Sequence, residues 1–386
     1  MSLPLSKKEA EKAYVAALLA VQGIGRASLA KIQRCCQELQ VSLAEFWRQQ
    51  PAQIWEISGL NFKQQAALRL FKKNWTPESY FGWLREQKIQ LISPEDNNYP
   101  KLLKNIDDKP PILYVKGRLI GQLERPIAVV GTRQISGYGR AVIEWLVPAL
   151  IAHQCTIISG FMYGVDVTAQ TAAMAAEGKT VGVLGFGFEE IFPASQQSLF
   201  EKMIAQKQCF LSEYPPWVGA HRGNFPERNR IVAGMSLATV VIEAASDSGS
   251  HITARLAGEY GRGVCAVPGS IFSPYSEGTK SLINQGARLV STAREILEEA
   301  GILSWAEASG MESDQRPELG QPNPAQLKLA DDWQRQVYHQ LQTHSQTSDE
   351  LADALALPIN QLQGILSELE LNGFISREGF DWQVRR

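Results

Sequence analysis

From residue 127 to residue 267, short apolar runs alternate with longer segments in which apolar residues recur at helical spacing. The runs are rich in Val and Ile, as in strands that are buried on both faces of a parallel sheet. The intervening segments have helical length, so the pattern predicts repeated strand–helix–strand units and a doubly wound α/β sheet. The predicted strands are 127–130, 156–158, 180–184, 209–211, 238–242 and 264–267.

The segments on either side of this sheet predict other folds. Near the N-terminus, Gly23-Ile24-Gly25 precedes an amphipathic stretch, which is typical of a helix-hairpin-helix, and a weaker repeat follows at Gly59. Contact with a DNA backbone and plain packing of two helices both explain this motif, and both remain open. The predicted organisation is a helical helix-hairpin-helix (SAM-like) domain at 1–75, a sheet domain at 76–302, a polar, Pro-containing linker at 303–326 and a winged helix at 327–386.

Composition limits the classes of protein that the chain can belong to. With 386 residues, 44% hydrophobic and 20% charged, it has the composition of a soluble globular protein of two or three domains. No apolar run approaches the roughly 20 residues of a membrane helix, and the first residues do not resemble a signal peptide. The five cysteines show no metal-ligand spacing, so neither a metal nor a cofactor is predicted, and a cytoplasmic location is expected.

The formal net charge of −2 conceals an uneven distribution. Residues 1–75 carry 11 Lys and Arg against 5 Asp and Glu, whereas residues 325–386 carry 5 against 9. A nucleic-acid site must therefore be local rather than spread over the whole surface. The predicted recognition helix of the winged helix, 360–371, contains two glutamates and no Lys or Arg, which favours contact with a protein over contact with DNA.

Candidate binding chemistry is concentrated between Asn224 and Arg262. Arg228 and Arg230 precede a predicted strand, and the small-residue turn Ser248-Gly249-Ser250 follows it. Backbone amides at such a turn bind anions, and ligands of open α/β sheets bind at the carboxyl ends of the strands. The first turn, GTRQISGYG, lacks the GxGxxG spacing of a dinucleotide site, and no GxSxG elbow is present. A catalytic pair of Asp166 and Glu243 is conceivable, but structural roles, helix capping and orientation of the turn, are favoured.

Six segments, taken in order, resemble the DprA/Smf family of DNA-processing proteins. They are GTRQISGYG (131–139), SGFMYGVD (159–166), FPERNRIVAGMS (225–236), VVIEAASDSGSHITARLAGEYGR (240–262), AVPGS (266–270) and SEGTKSLINQGA (276–287). The resemblance implies an extended Rossmann-like domain that binds single-stranded DNA without sequence preference. It further implies a homodimer that protects incoming DNA and loads the RecA recombinase during natural transformation, with no catalytic activity.

Residues carried over from the resemblance form the predicted DNA-binding set. They are Gly131, Thr132, Arg133, Ser159, Gly160, Tyr163, Gly164, Asp166, Arg228, Asn229, Arg230, Ser248, Gly249, Ser250, Thr253 and Lys280. The chain departs from the family's pattern at Tyr163, Gln170, Gln196 and Lys280, where the family usually has Arg, His, Asn and Asn. Tyr163 lacks the phosphate contact of the family's arginine, but it offers a ring on which a base can stack. An altered affinity for DNA is therefore expected.

A nucleotide-processing enzyme on a similar sheet, like the phosphoribohydrolases, is the alternative. Those enzymes carry a catalytic Glu in a GGGxGTxxE-like turn, and the turn at Ser248-Gly249-Ser250 with Thr253 lacks it. The flanking helix-hairpin-helix and winged-helix patterns also favour DNA over a nucleotide.

Overall fold

The computed structural model describes residues 5–48, 59–118, 123–303, 332–343, 345–371, 374–378 and 381–384. The chain forms two compact units, Met1–Met311 and Glu312–Arg386. Almost all of the predicted linker, 304–326, lies outside the described residues.

A nine-stranded sheet is the framework of the first unit, and its strand order is β1-β2-β6-β5-β4-β3-β7-β8-β9. The pairs from β6 through β9 are parallel, which confirms the predicted doubly wound sheet. Strands β1 and β2 extend it by antiparallel pairing, which the sequence pattern did not predict for them. The strands are β1 (Ile89–Ile92), β2 (Leu113–Gly117), β3 (Pro126–Val130), β4 (Thr156–Ser159), β5 (Lys179–Leu184), β6 (Cys209–Ser212), β7 (Ala238–Val241), β8 (Gly263–Ala266) and β9 (Arg288–Leu289).

The direction of the chain reverses between β3 and β7. From β3 the chain proceeds through β4 and β5 to β6, and it then returns to place β7 on the other side of β3. Every residue of β3, β4 and β7 is buried, because helices cover both faces of the sheet. The turns after β3 and β7 are therefore neighbours at the carboxyl edge, which is the position where open α/β sheets bind ligands.

The helices of the first unit cover the sheet and also form the N-terminal segment of the unit. The helix after β3 begins where Ser136 accepts a hydrogen bond from the backbone N–H of Gly139, a standard N-terminal cap. The helices are α1 (Lys7–Leu19), α2 (Arg26–Glu38), α3 (Leu43–Arg48), α4 (Phe62–Asn74), α5 (Pro77–Glu86), α6 (Lys101–Lys104), α7 (Gly137–Ala152), α8 (Val165–Ala175), α9 (Gln197–Ala205), α10 (Asn224–Gly234), α11 (Ser250–Glu259), α12 (Glu277–Asn284) and α13 (Ala293–Glu299).

The N-terminal helices share a hydrophobic core with one face of the sheet. This core joins Leu18 of α1 to Phe161, which follows β4, and to Phe210 of β6. Trp217, in the loop after β6, lies 5.4 Å from Tyr80 between ring centroids and also contacts other rings of the helical segment. The helical segment is thus packed on the sheet, while the predicted boundary at residues 75 and 76 stays a prediction.

The second unit has the winged-helix fold that the sequence predicts. Three helices surround a core that contains Val337, Leu362 and Trp382, and a three-stranded sheet of order β10-β12-β11 completes it. Its elements are α14 (Asp332–Thr343), β10 (Gln346–Thr347), α15 (Ser348–Leu355), α16 (Ile359–Leu371), β11 (Ile375–Glu378) and β12 (Asp381–Val384). Across the described parts of both units, no helix has the length and apolar character to cross a membrane.

We expect Asp96→Asn to reduce stability near neutral pH by about 1–2 kcal/mol. The Asp96 carboxylate pairs with Lys8 at 2.9 Å and Lys12 at 3.1 Å, and it accepts a hydrogen bond from the Ser93 N–H at 2.8 Å. Burial raises the pKa of Asp96, but the bonds from Lys8, Ser93 and Lys12 outweigh burial and bring this pKa to about 2.

Because the folded-state pKa is depressed, this stabilisation is complete above about pH 4 and is lost as the pH falls towards 2. Urea unfolding of wild type and Asp96→Asn at several pH values measures it. The difference between the two proteins should shrink on acidification, and a difference that does not change with pH would contradict the assignment.

Candidate nucleic-acid interface

Backbone hydrogen bonds join three turns at the carboxyl edge of the sheet. The N–H of Thr132 donates to the carbonyl of Glu243 at 2.7 Å, and the N–H of Val165 donates to the carbonyl of Thr132 at 3.1 Å. Gly164 has a φ of 77°, and a Cβ there would collide with the backbone of Thr132 and Arg133. Predicted site residues after β3, β4 and β7 are therefore brought together, and the close approach requires glycine.

Glu243 holds the first of these turns in place. Its buried carboxylate accepts hydrogen bonds from the Ser136 N–H at 2.9 Å and from the Ser136 hydroxyl at 2.5 Å. A Cβ at Gly139 would strike the same carboxylate, so a side chain there would displace it. The orienting role of Glu243 that the sequence favours fits this geometry.

Arg228 lies in the interior, 3% exposed, instead of on an open surface. Its guanidinium donates to the carbonyls of Gly160, directly after β4, and Val183, within β5. Burial lowers the pKa of Arg228 to about 10, and the nearby Asp166 carboxylate opposes that shift, so the guanidinium stays charged near neutral pH. The structure thus gives this predicted phosphate ligand protein partners on two neighbouring strands.

Arg230, two residues further along α10, is also buried. Its guanidinium forms an ion pair with Glu213 and lies 3.5 Å from Asp108. Burial raises the pKa of Glu213, and Arg230 and Arg26 act against that rise. Asn229, between the two arginines in sequence, is only half-buried, and its amide lies 3.4 Å from the carbonyl of Gly249.

Asp166 is a buried carboxylate within the frame of the site. It accepts a hydrogen bond from the Met162 N–H at 3.3 Å. Desolvation raises its pKa, while Arg228 and the backbone amides of Met162 and Gly160 favour the charged form. Asp166 and Glu243 are therefore both bound to protein groups, as expected for structural rather than catalytic carboxylates.

Exposed groups at the edge include one cation and several rings. The Arg133 guanidinium lies 5.7 Å from the centre of the Phe225 ring, and the Phe192 ring lies 5.9 Å from Phe225. Tyr163 is 47% exposed and Phe192 43% exposed, and the Tyr163 hydroxyl lies 2.8 Å from the hydroxyl of Ser195. Sequence reasoning did not include Phe192 or Phe225 in the site, although Phe225 stands in a motif that it singled out.

The remaining predicted residues lie in the turns after β3 and β7, at the end of β4, and on α11 and α12. The hydroxyls of Ser248 and Ser250 lie 2.8 Å apart at the start of α11. Ser250 and Thr253 are buried, whereas Gly249 is exposed, and buried Ser159 donates to the carbonyl of Val129 at 2.6 Å. Lys280 is exposed on α12, and Gly131 is half-buried in the first turn.

The turn of the first predicted helix-hairpin-helix lies beside acidic side chains of the sheet domain. Arg26, which follows Gly25, pairs with Glu227 at 2.8 Å and lies 3.8 Å from Glu213. Both glutamates and the hairpin line a cleft of about 690 Å³. Carboxylates beside the hairpin repel phosphates, so this placement favours the packing interpretation of the motif.

Sequence comparison identifies the family to which this fold and site correspond. The model of DNA recombination-mediator protein A matches residues 90–301. The chain belongs to this family. The model of the DprA winged helix domain matches residues 321–379.

Individual relatives agree with this assignment. The Smf protein of Synechocystis is 31% identical, covering 97% of this chain and 99% of its own length. The DNA processing protein DprA of Bacillus subtilis is 40% identical over 56% of this chain and 72% of its own. A crystal structure of DNA processing protein A from Streptococcus pneumoniae has a TM-score of 0.63 and 31% identity, covering 74% of this chain and 97% of that one.

Two of the departures from the DprA/Smf pattern are buried glutamines. Gln170 is fully buried on α8, and Gln196 is 5% exposed at the start of α9. Within the described residues, neither side-chain amide has a hydrogen-bond partner in the protein. Tyr163 and Lys280, in contrast, are exposed, so these two departures change the surface of the protein.

We expect Arg228→Ala to destabilise this member of the DprA/Smf family by about 2–5 kcal/mol, because it leaves the buried carbonyls of Gly160 and Val183 without their hydrogen-bond donor. The exposed Arg133→Ala should change stability by less than about 0.5 kcal/mol. Urea unfolding of both variants provides the measurement. An Arg228→Ala protein of wild-type stability that no longer binds DNA would contradict the structural role.

Proposed function

We propose that the chain binds single-stranded DNA, without sequence preference, at the exposed groups of the carboxyl edge. The observation that carries this proposal is the Arg133 guanidinium over Phe225, with the exposed rings of Phe192 and Tyr163 close by. Aromatic faces stack on any unpaired base, and an adjacent cation binds the backbone. This combination fits a single strand better than a duplex, whose bases are already stacked on each other.

The electrostatics of the edge support the same proposal. Arg228 is buried with protein hydrogen-bond partners, Arg230 is paired with Glu213, and the formal net charge of the chain is −2. A duplex-binding protein that depends on phosphate contacts needs a broad basic surface. Affinity for a single strand can rest on stacking with a small number of cationic contacts, and Arg133 and Lys280 are exposed to supply them.

Membership of the recombination-mediator family extends the proposal to a pathway. We propose that the protein, as a homodimer in the cytoplasm, protects incoming single strands and loads the RecA recombinase onto them. A binding role without catalysis fits the two buried carboxylates at the edge, since both Asp166 and Glu243 have protein partners.

Arg133→Ala should weaken binding of labelled poly-dT by about 5- to 50-fold and leave the fold intact, because it removes an exposed cation beside the stacking rings. Fluorescence anisotropy with poly-dT and with a matched duplex, over a salt series, measures this. The slope of log affinity against log salt should fall by about 0.7, because the variant neutralises one phosphate fewer.

Lys179→Ala is the matched control. It removes one positive charge from an exposed side chain at the amino end of β5, which is the opposite edge of the sheet. Affinity for poly-dT should stay at the wild-type value. If both variants lose affinity equally, binding follows net charge alone and the proposed site is wrong; if wild type binds neither DNA, the proposed function is wrong.

The recombinase part of the proposal has its own test. On single strands coated with a single-strand-binding protein, wild type should shorten the lag before RecA hydrolyses ATP. Arg133→Ala should restore much of that lag, because loading requires the strand to be held. An unchanged lag with wild type, at concentrations that saturate the DNA, would remove RecA loading from the proposal and leave DNA binding.

A further inference from the structure

The loop after β8, residues 268–276, carries two large apolar side chains into solvent. Ile271 is 81% exposed and Phe272 is 90% exposed. The rest of the first unit leaves the Phe272 ring and the Ile271 side chain largely uncovered, although water solvates their apolar surfaces poorly. Two such residues side by side at a loop tip are a candidate contact surface.

Both ends of this loop are fixed to the turns of the proposed site. The Tyr138 hydroxyl donates to the carbonyl of Pro268 at 2.5 Å, and the Tyr275 hydroxyl donates to the Gln134 side chain at 2.9 Å. The N–H of Ala244, after β7, donates to the carbonyl of Tyr275 at 2.7 Å. The loop is therefore attached to the turns after β3 and β7 and presents its tip from a defined position.

The order of the strands places the tip of this loop on the same edge of the sheet as Phe192, Tyr163 and Phe225. From β5, which precedes Phe192, to β8, which precedes Phe272, the order runs through β4, β3 and β7. Four spacings of about 4.8 Å give roughly 19 Å between the two ends of the row. A single strand that lies along the carboxyl edge would pass from Phe192 and Tyr163 over Arg133 to the 268–276 loop.

We propose that Phe272 is a second stacking site for a nucleobase of the same single strand, with Ile271 beside it. This inference rests on the proposed function, and it adds the far end of the DNA path. A base is the occupant that fits best, because two side chains offer the area of one ring, whereas a stable protein interface covers about 800 Å² on each partner. The hydroxyls of Ser270 and Ser273 flank the tip and place no like charge against a phosphate backbone.

Oligo-dT of increasing length tests the proposal, over the range of about 4–16 nucleotides that single-strand modules occupy. Short oligomers that reach only the Arg133 end should bind wild type and Phe272→Ala equally. Beyond the length that spans the edge, wild type should gain affinity, and Phe272→Ala should be weaker by about 5- to 150-fold, the range for loss of one stacked base. Phe272→Trp should recover the long-oligomer affinity.

Phe62→Ala is the control for loss of an exposed ring, because Phe62 is 81% exposed at the start of α4 in the N-terminal segment. It should match wild type at every length. The proposal is overturned if Phe272→Ala equals wild type at every length, or if it changes the mass in analytical ultracentrifugation without changing DNA affinity, which would make the loop a contact between copies. Arg133→Ala should weaken the binding of oligomers of every length. If it does not, the error lies in the proposed function and not in the role of Phe272.

Discussion

A charged guanidinium in the interior of the sheet domain is the constraint on which the carboxyl edge depends. Arg228 reaches from α10 to the carbonyls of Gly160 and Val183, and the nearby Asp166 carboxyl favours its charged form. Burial of a cation is costly unless hydrogen bonds and nearby opposite charge compensate for the lost water, so these groups stabilise each other's positions. Residue 160 must be glycine, since a Cβ there would occupy the space of the guanidinium.

This arrangement separates the groups that build the edge from those that can touch a ligand. Arg228, Arg230 and Glu243 are buried: Arg228 connects α10 to Gly160 and β5, Arg230 connects it to Glu213 after β6, and Glu243 holds the turn after β3. Arg133, an exposed cation, lies on the surface of this frame over Phe225. Substitutions in the buried group consequently act on folding, and only substitutions in the exposed group report on binding alone.

Sequence reasoning recovered the sheet, the winged helix and the segments that form the edge, because hydrophobic periodicity and turn glycines are local signals. It could not rank Arg228 below Arg133 as a ligand, since both are arginines in glycine- or proline-containing motifs and burial is set by tertiary packing. The antiparallel pairing of β1 and β2 was not predicted, because strand direction depends on how distant segments pair. Phe225 was visible in its motif, but its place under Arg133 was not.

The distribution of charge follows from the same packing. The basic N-terminal segment brings Arg26 to Glu227 and Glu213, and Glu213 also neutralises Arg230, so part of the positive charge near the edge is used within the protein. An interface of this kind has a weak long-range field and discriminates mainly at contact. In the proposed complex the faces of unpaired bases are then the feature that is recognised, and stacking, which every base permits, explains why binding would not depend on sequence.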